Sequence, residues 1–146
     1  MKAGFGDDRA PLHLLHRASQ CADELFQAAM EGLDITPRQF MVLATLKRRG
    51  GLSQTSLVER TGIDRSTMTD VVRRLLSKGY VQRRRKRQDA RTYSVTLTTK
   101  GYAHLERIKP IANEVDKRLL ACLSQHNAQL LMRSLKYLVQ TWSLGR

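Results

Sequence analysis

The sequence is poor in cysteine, in acidic residues and in long apolar runs, and each shortage removes a class of protein. Cys21 and Cys122 are the only cysteines. They lie far apart and form no C-x-x-C pair, which argues against a disulfide framework and against a zinc site, and both are expected to be reduced. No apolar run approaches the roughly 20 residues of a membrane span. The start, MKAGFGDDRA, lacks the apolar core of a secretory leader. The expectation is a cytoplasmic protein with no membrane partner. H-E-x-x-H, G-x-S-x-G and glycine-rich phosphate loops are all missing, so neither an enzyme nor a cofactor is expected. His13 and His16 stand three apart with no third ligand in register, and no metal is assigned to them.

What the chain has in excess is positive charge. Its 146 residues hold 26 Lys and Arg against 13 Asp and Glu, a formal net charge of +13. With 41% hydrophobic and 27% charged residues the composition is that of one folded domain. A charge of this size speaks of partners, and a polyanion such as nucleic acid leads.

Helical spacing of Leu14, Leu15, Ala18, Cys21, Ala22, Leu25, Phe26 and Ala29 predicts a long first helix over 11–31, closed by Gly32. Thr36, Pro37 and Gln39 make a complete start signal for a second helix, which Gly50 and Gly51 end. Ser53 caps a short third helix to about Arg60. Thr61 and Gly62 turn the chain, and Asp64 caps a fourth helix to about Lys78. Two helices joined by a glycine turn suggest a helix-turn-helix. After Gly79 the period falls to two: Tyr93, Val95 and Leu97 alternate with polar residues, and YVQRRRK can pair with them across Gln88, Asp89 and Ala90 as a basic hairpin. Thr98 or Thr99 caps a fifth helix toward Cys122, with Pro110 expected to kink it or break its ladder. Ser124 caps a last helix ending near Trp142.

On the fourth helix Met68, Val71, Val72, Leu75 and Leu76 share one face. Ser66, Thr69, Asp70, Arg73 and Arg74 lie on or beside the other. Short hydrogen-bonding side chains near a helix start, with arginines behind them, suit the major groove. The candidate base and phosphate contacts of this helix are therefore Arg65, Ser66, Thr67, Thr69, Arg73 and Arg74. Along the hairpin, Arg83 and Arg85 fall on one side and Arg84 and Lys86 on the other, and the sequence does not decide which side meets DNA.

The stretch LSQTSLVERTGIDRSTMTDVVRRLLSKGYVQRRRKRQDARTYSVTLTTKG resembles the winged helix-turn-helix core of the MarR family of bacterial transcription regulators. The wing carries the most specific part, with Asp89, Arg91, Val95, Leu97, Thr98 and Gly101 matching the family pattern. The resemblance covers 35–105 strongly. It implies a mainly α (α+β) fold with a two-stranded wing, an obligate homodimer on palindromic double-stranded DNA, and a small anionic or phenolic effector that releases it. On this reading 1–146 is a single domain: a flexible N-terminus at 1–10, dimerisation helices at 11–32 and 100–146, and a DNA-binding core at 35–99. The wing contacts are Arg84, Lys86, Arg87 and Arg91. Asp89 is expected to hold Arg91 ready for the minor groove, with a plain turn-forming role as its alternative.

Repression is the expected output. The rivals are a non-specific architectural DNA-binding protein, a winged-helix module that binds only protein, and a thiol-based redox regulator. The last would use Cys21 with Arg17 one turn before it and His16 beside it, as an effector or redox site. A buried, inert Cys21 on the apolar stripe is the simpler expectation. Met30, Met41, Tyr102 and Trp142 are further candidates for an effector pocket, although apolar residues at helical spacing are usually core.

Overall fold

A computed structural model of the chain describes residues 7–86 and 89–143, without side chains at 86 and 89–92. Six helices and one hairpin follow in the order α1 (Pro11–Ala29), α2 (Pro37–Arg49), α3 (Gln54–Thr61), α4 (Arg65–Ser77), β1 (Val81–Lys86), β2 (Asp89–Leu97), α5 (Thr99–Leu120) and α6 (Gln125–Ser143). Local chemistry sets the starts of these helices. Thr36 Oγ1 accepts the Gln39 N–H at 3.2 Å while Gln39 Oε1 accepts the Thr36 N–H at 3.3 Å, a complete capping box for α2. Ser53, Asp64, Thr98 and Ser124 accept backbone N–H groups in the same way at the starts of α3, α4, α5 and α6. Between α3 and α4 the chain reverses through Gly62 at φ 73, a left-handed conformation natural to glycine.

Leu43 and Leu46 of α2, Leu57 of α3, Met68 and Leu75 of α4, and Leu105 and Ile108 of α5 are fully buried. Burying a side chain of this size is worth about 1.5–3 kcal/mol relative to leaving it in water. The helix-turn-helix and α5 therefore share one core. Val81 and Val95 close it from the hairpin, and Leu52 exchanges backbone hydrogen bonds with Val95 at 3.1 and 2.7 Å along the free edge of β2.

α1 gives this core little beyond Phe26 and Met30, and no described residue of α6 is buried. Leu12, Leu14 and Leu15 of α1 and Leu130, Leu131, Met132 and Leu138 of α6 remain exposed. An exposed apolar stripe on this scale calls for a cover from outside the chain.

α5 continues through Pro110, where the ladder loses one bond as expected: that bond would have gone to the Glu106 carbonyl, and both residues stand on the exposed side, where water can take the freed acceptor. Three other expectations change. Asp89 and Ala90, expected in the turn, belong to β2. Arg85 stands opposite Tyr93 but Lys86 opposite Asp89, so Ala90, Arg91 and Thr92 form a bulge in that strand. Cys21 is exposed: along α1, burial within the chain begins only with Ala22, Leu25 and Phe26, just beyond it. Within the N-terminal stretch expected to be flexible, residues 7–10 form a turn in which Asp7 binds the backbone and side chain of Arg9, with Ala10 buried; the rest lies outside the described residues.

Candidate nucleic-acid interface

α4 turns Met68, Val71, Val72 and Leu75 to the core, so the remaining faces of the helix look outward. Arg65, Ser66, Thr69, Arg73 and Arg74 are exposed, whereas Thr67 is half-buried and tied to the helix cap. Asp64 Oδ1 accepts the Thr67 N–H at 2.8 Å and its Oδ2 accepts the Thr67 hydroxyl at 2.7 Å. These two bonds hold the Asp64 carboxyl below the usual carboxylate range. Thr67 thus positions the start of α4.

Two further links on the outer face join residues that sequence reading leaves separate. Gln54 of α3 donates its Nε2–H to Thr69 Oγ1 at 2.7 Å, and that hydroxyl donates to the Arg65 carbonyl at 2.9 Å. Asp70 accepts Arg73 Nη2 at 2.6 Å on one oxygen and Arg74 Nε at 2.8 Å on the other. Asp70 was legible from its spacing of three and four residues to the arginines. The role of Gln54 depends on how closely the turn at Gly62 brings α3 against α4: the sequence marks the turn but not which side chains it brings together.

The hairpin sorts its arginines by face. Arg83 and Arg85 lie opposite Val95 and Tyr93, on the side of the sheet that carries the buried Val81. Arg85 is engaged there: its Nε donates to Tyr93 Oη at 3.3 Å and its guanidinium lies 5.6 Å from the ring centre. Arg84 stands on the other face opposite Ser94, exposed to solvent. The side chains of Lys86, Arg87, Asp89 and Arg91 fall outside the described residues, and the expected Asp89–Arg91 contact with them.

A polar junction anchors the end of α4 and the start of the hairpin to the rest of the chain. Lys78 Nζ donates to the Asp34 carbonyl at 2.9 Å and to Gln39 Oε1 at 3.1 Å, and pairs with Asp34 Oδ1 at 3.0 Å. Lys100 of α5 caps the Lys78 carbonyl at 2.9 Å. Beneath them the His104 ring stacks on Tyr80 with centres 4.4 Å apart. Burial first, and Arg107 next, lower the His104 pKa from its ordinary value.

The effector candidates do not converge. Met30 is core, Tyr102 lies under Lys47 Nζ at 5.1 Å, and Trp142 lines a cleft between α6 and the α3–α4 turn. Met41 borders a different cleft of about 350 Å³ between α1, α2 and α5, whose walls include Phe26, Phe40, Ala44, Arg48 and Val115. His16, Arg17 and Cys21 line none of these clefts. Arg17 donates to Gln20 Oε1 at 2.6 Å, so its observed partner is an amide and not the thiol.

Comparison with known proteins places this geometry. The family model described as "MarR family" matches residues 35–93. A Mycobacterium tuberculosis protein named as an HTH-type transcriptional repressor is 31% identical over 92% of this chain and 97% of its own length. Among solved structures, a mutant of MarR from E. coli complexed with operator DNA superposes with a TM-score of 0.84 at 28% identity, covering 94% of this chain and 99% of that one. The PcaV transcriptional regulator from Streptomyces coelicolor, in complex with its natural ligand, gives a TM-score of 0.85 at 27% identity, covering 95% and 98%.

Proposed function

The chain belongs to the MarR family of transcription regulators, and on that premise we propose that it is a homodimeric, sequence-specific repressor whose operator is a palindrome and whose grip is released by a small ligand. The observation that carries this reading is the outward face of α4, where Arg65, Ser66, Thr69 and Arg73 stand exposed beside a basic hairpin. α4 would enter the major groove, with Ser66 and Thr69 at base edges and Arg65, Arg73 and Arg74 on guanine or phosphate. The wing would follow the backbone with Arg84, Lys86 and Arg87, and Arg91 would reach the minor groove under the control of Asp89. The exposed apolar stripes of α1 and α6 are the dimer surface, and two-fold symmetry of the protein matches two-fold symmetry of the site. No catalytic step is assigned to the chain, and its place is the cytoplasm. Among the described residues, no helix is long and apolar enough to cross a membrane.

The cleft between α1, α2 and α5 is the proposed effector site. Its walls are mostly apolar, and its charged members are Arg48, Asp23 and Asp116, which suits a small aromatic ligand with a polar group, such as a phenol.

Selection of bound sequences from random duplex DNA tests the reading. We expect a palindromic consensus, preferred over random DNA by at least about 10³ at physiological salt. Log K should fall against log salt with a slope of about −5 to −9, since a dimer displaces several counterions. A slope shallower than about −2, or equal affinity for every duplex, would refute sequence-specific binding.

A further inference from the structure

The one acid on the outer face of the DNA-reading helix sits where it controls two of that helix's cations. Asp70 precedes Arg73 and Arg74 by three and four residues, and both carboxylate oxygens are used, Oδ1 by Arg73 Nη2 at 2.6 Å and Oδ2 by Arg74 Nε at 2.8 Å. The pairing with Arg73 first, and with Arg74 second, holds the Asp70 carboxyl below its ordinary range, so it stays charged at neutral pH. Ion pairs as exposed as these stabilise a helix little. Their consequence lies in what the arginines can still do. Arg74, held by Nε, keeps both Nη groups available, and Arg73, held by one Nη, keeps its remaining donors in a fixed plane.

Without the acid, two long flexible cations on a groove-facing helix would take whichever phosphates are nearest, and every sequence offers phosphates. With it, one of the two charges is cancelled and phosphate is repelled. The guanidiniums then meet base edges only where the sequence presents acceptors in the right plane. We propose that Asp70 is a positioning residue for operator selection: it presents Arg73 and Arg74 to cognate bases and penalises binding to all other DNA. The inference rests on the proposed function, because it needs α4 in the major groove.

The test compares the selected operator with a scrambled duplex, titrated across a salt series with the full-length protein, Asp70→Asn and Asp70→Ala. We expect both variants to bind scrambled DNA about three- to tenfold tighter, with a salt slope steeper by about one to two units per dimer as freed arginines reach phosphate. The ratio of operator to scrambled affinity should fall roughly tenfold. In an Arg73→Ala/Arg74→Ala background the same Asp70 changes should alter that ratio by less than about twofold. A ratio unchanged in both single variants, equal tightening on both duplexes, or a full effect that persists without the arginines would overturn the role of Asp70 while leaving DNA recognition intact. Failure of the unaltered protein to select any sequence would instead remove the reading beneath it.

Discussion

Gln54 holds Thr69: the amide of the first residue of α3 donates to the hydroxyl of an exposed residue of α4 at 2.7 Å. Because that hydroxyl gives its own proton to the Arg65 carbonyl, Thr69 has no donor left for a base. With α4 in the major groove as proposed, it would meet the bases chiefly with its methyl group, which suits a thymine methyl. The second amide hydrogen and the carbonyl oxygen of Gln54 remain for an adenine edge.

Gln54→Ala and Thr69→Ala should therefore alter the same positions of the selected consensus, each at a cost of about 1–3 kcal/mol on the operator. The double variant should cost less than the sum, since each single change already breaks the shared arrangement. Thr69→Ser keeps the hydroxyl and should still weaken the preference for thymine. Sequence selection and operator titration read both effects, and strict additivity would refute the pairing.

Gly101 is held by contact. A Cβ built there would lie 1.9 Å from the Tyr80 carbonyl oxygen, which is backbone and cannot swing aside. The first turn of α5, capped by Thr98, is thus pressed against the start of the wing. Gly101→Ala should destabilise the fold by about 1–3 kcal/mol or more. Urea denaturation measures this, and an unchanged midpoint would show that the two segments separate at no cost.

His104 predicts an acid-side loss of stability. Its folded-state pKa is lowered, chiefly by burial, with Arg107 and Lys78 adding to the effect and the Leu33 backbone and Asp34 opposing it. Its Nε2 is buried without a partner. Above the ordinary imidazole value of about 6.5 the ring is neutral in both folded and unfolded chains and imposes no pH dependence. As pH falls from there toward the folded-state value, the unfolded chain takes up the proton first, and stability declines. The urea midpoint should fall over that window and flatten in His104→Phe, which keeps a ring on Tyr80. An identical pH profile for the two proteins would exclude His104 as the source.

For the wing, Asp89→Ala distinguishes an acid that orients Arg91 from one that only adds negative charge at the start of β2. If Asp89 holds Arg91, the change should weaken operator binding by about 1 kcal/mol, the rotamer entropy that must then be lost on binding. Arg91→Ala should cost more. Adding Asp89→Ala to it should cost little or even help. Tighter binding by the Asp89→Ala single variant would mean that the acid does not hold Arg91 and only adds negative charge near phosphate.

Local pattern alone sets the element order, the five capped helix starts and the inward face of α4, because caps and hydrophobic period act within a few residues of themselves. It also placed Arg84 and Arg85 on opposite faces of the hairpin, since strand side chains alternate whatever they pack against. It misplaced the start of β2, because a bulge depends on how two strands twist together and not on either one alone. Packing between segments makes Thr67 serve the helix cap, brings Gln54 to Thr69 across the turn and presses Gly101 against Tyr80. It also left Cys21 exposed, since the apolar spacing of α1 marks a face to be covered but names no partner to cover it. These outcomes turn on contacts between segments far apart in the chain, whose distances no local pattern of residues can specify.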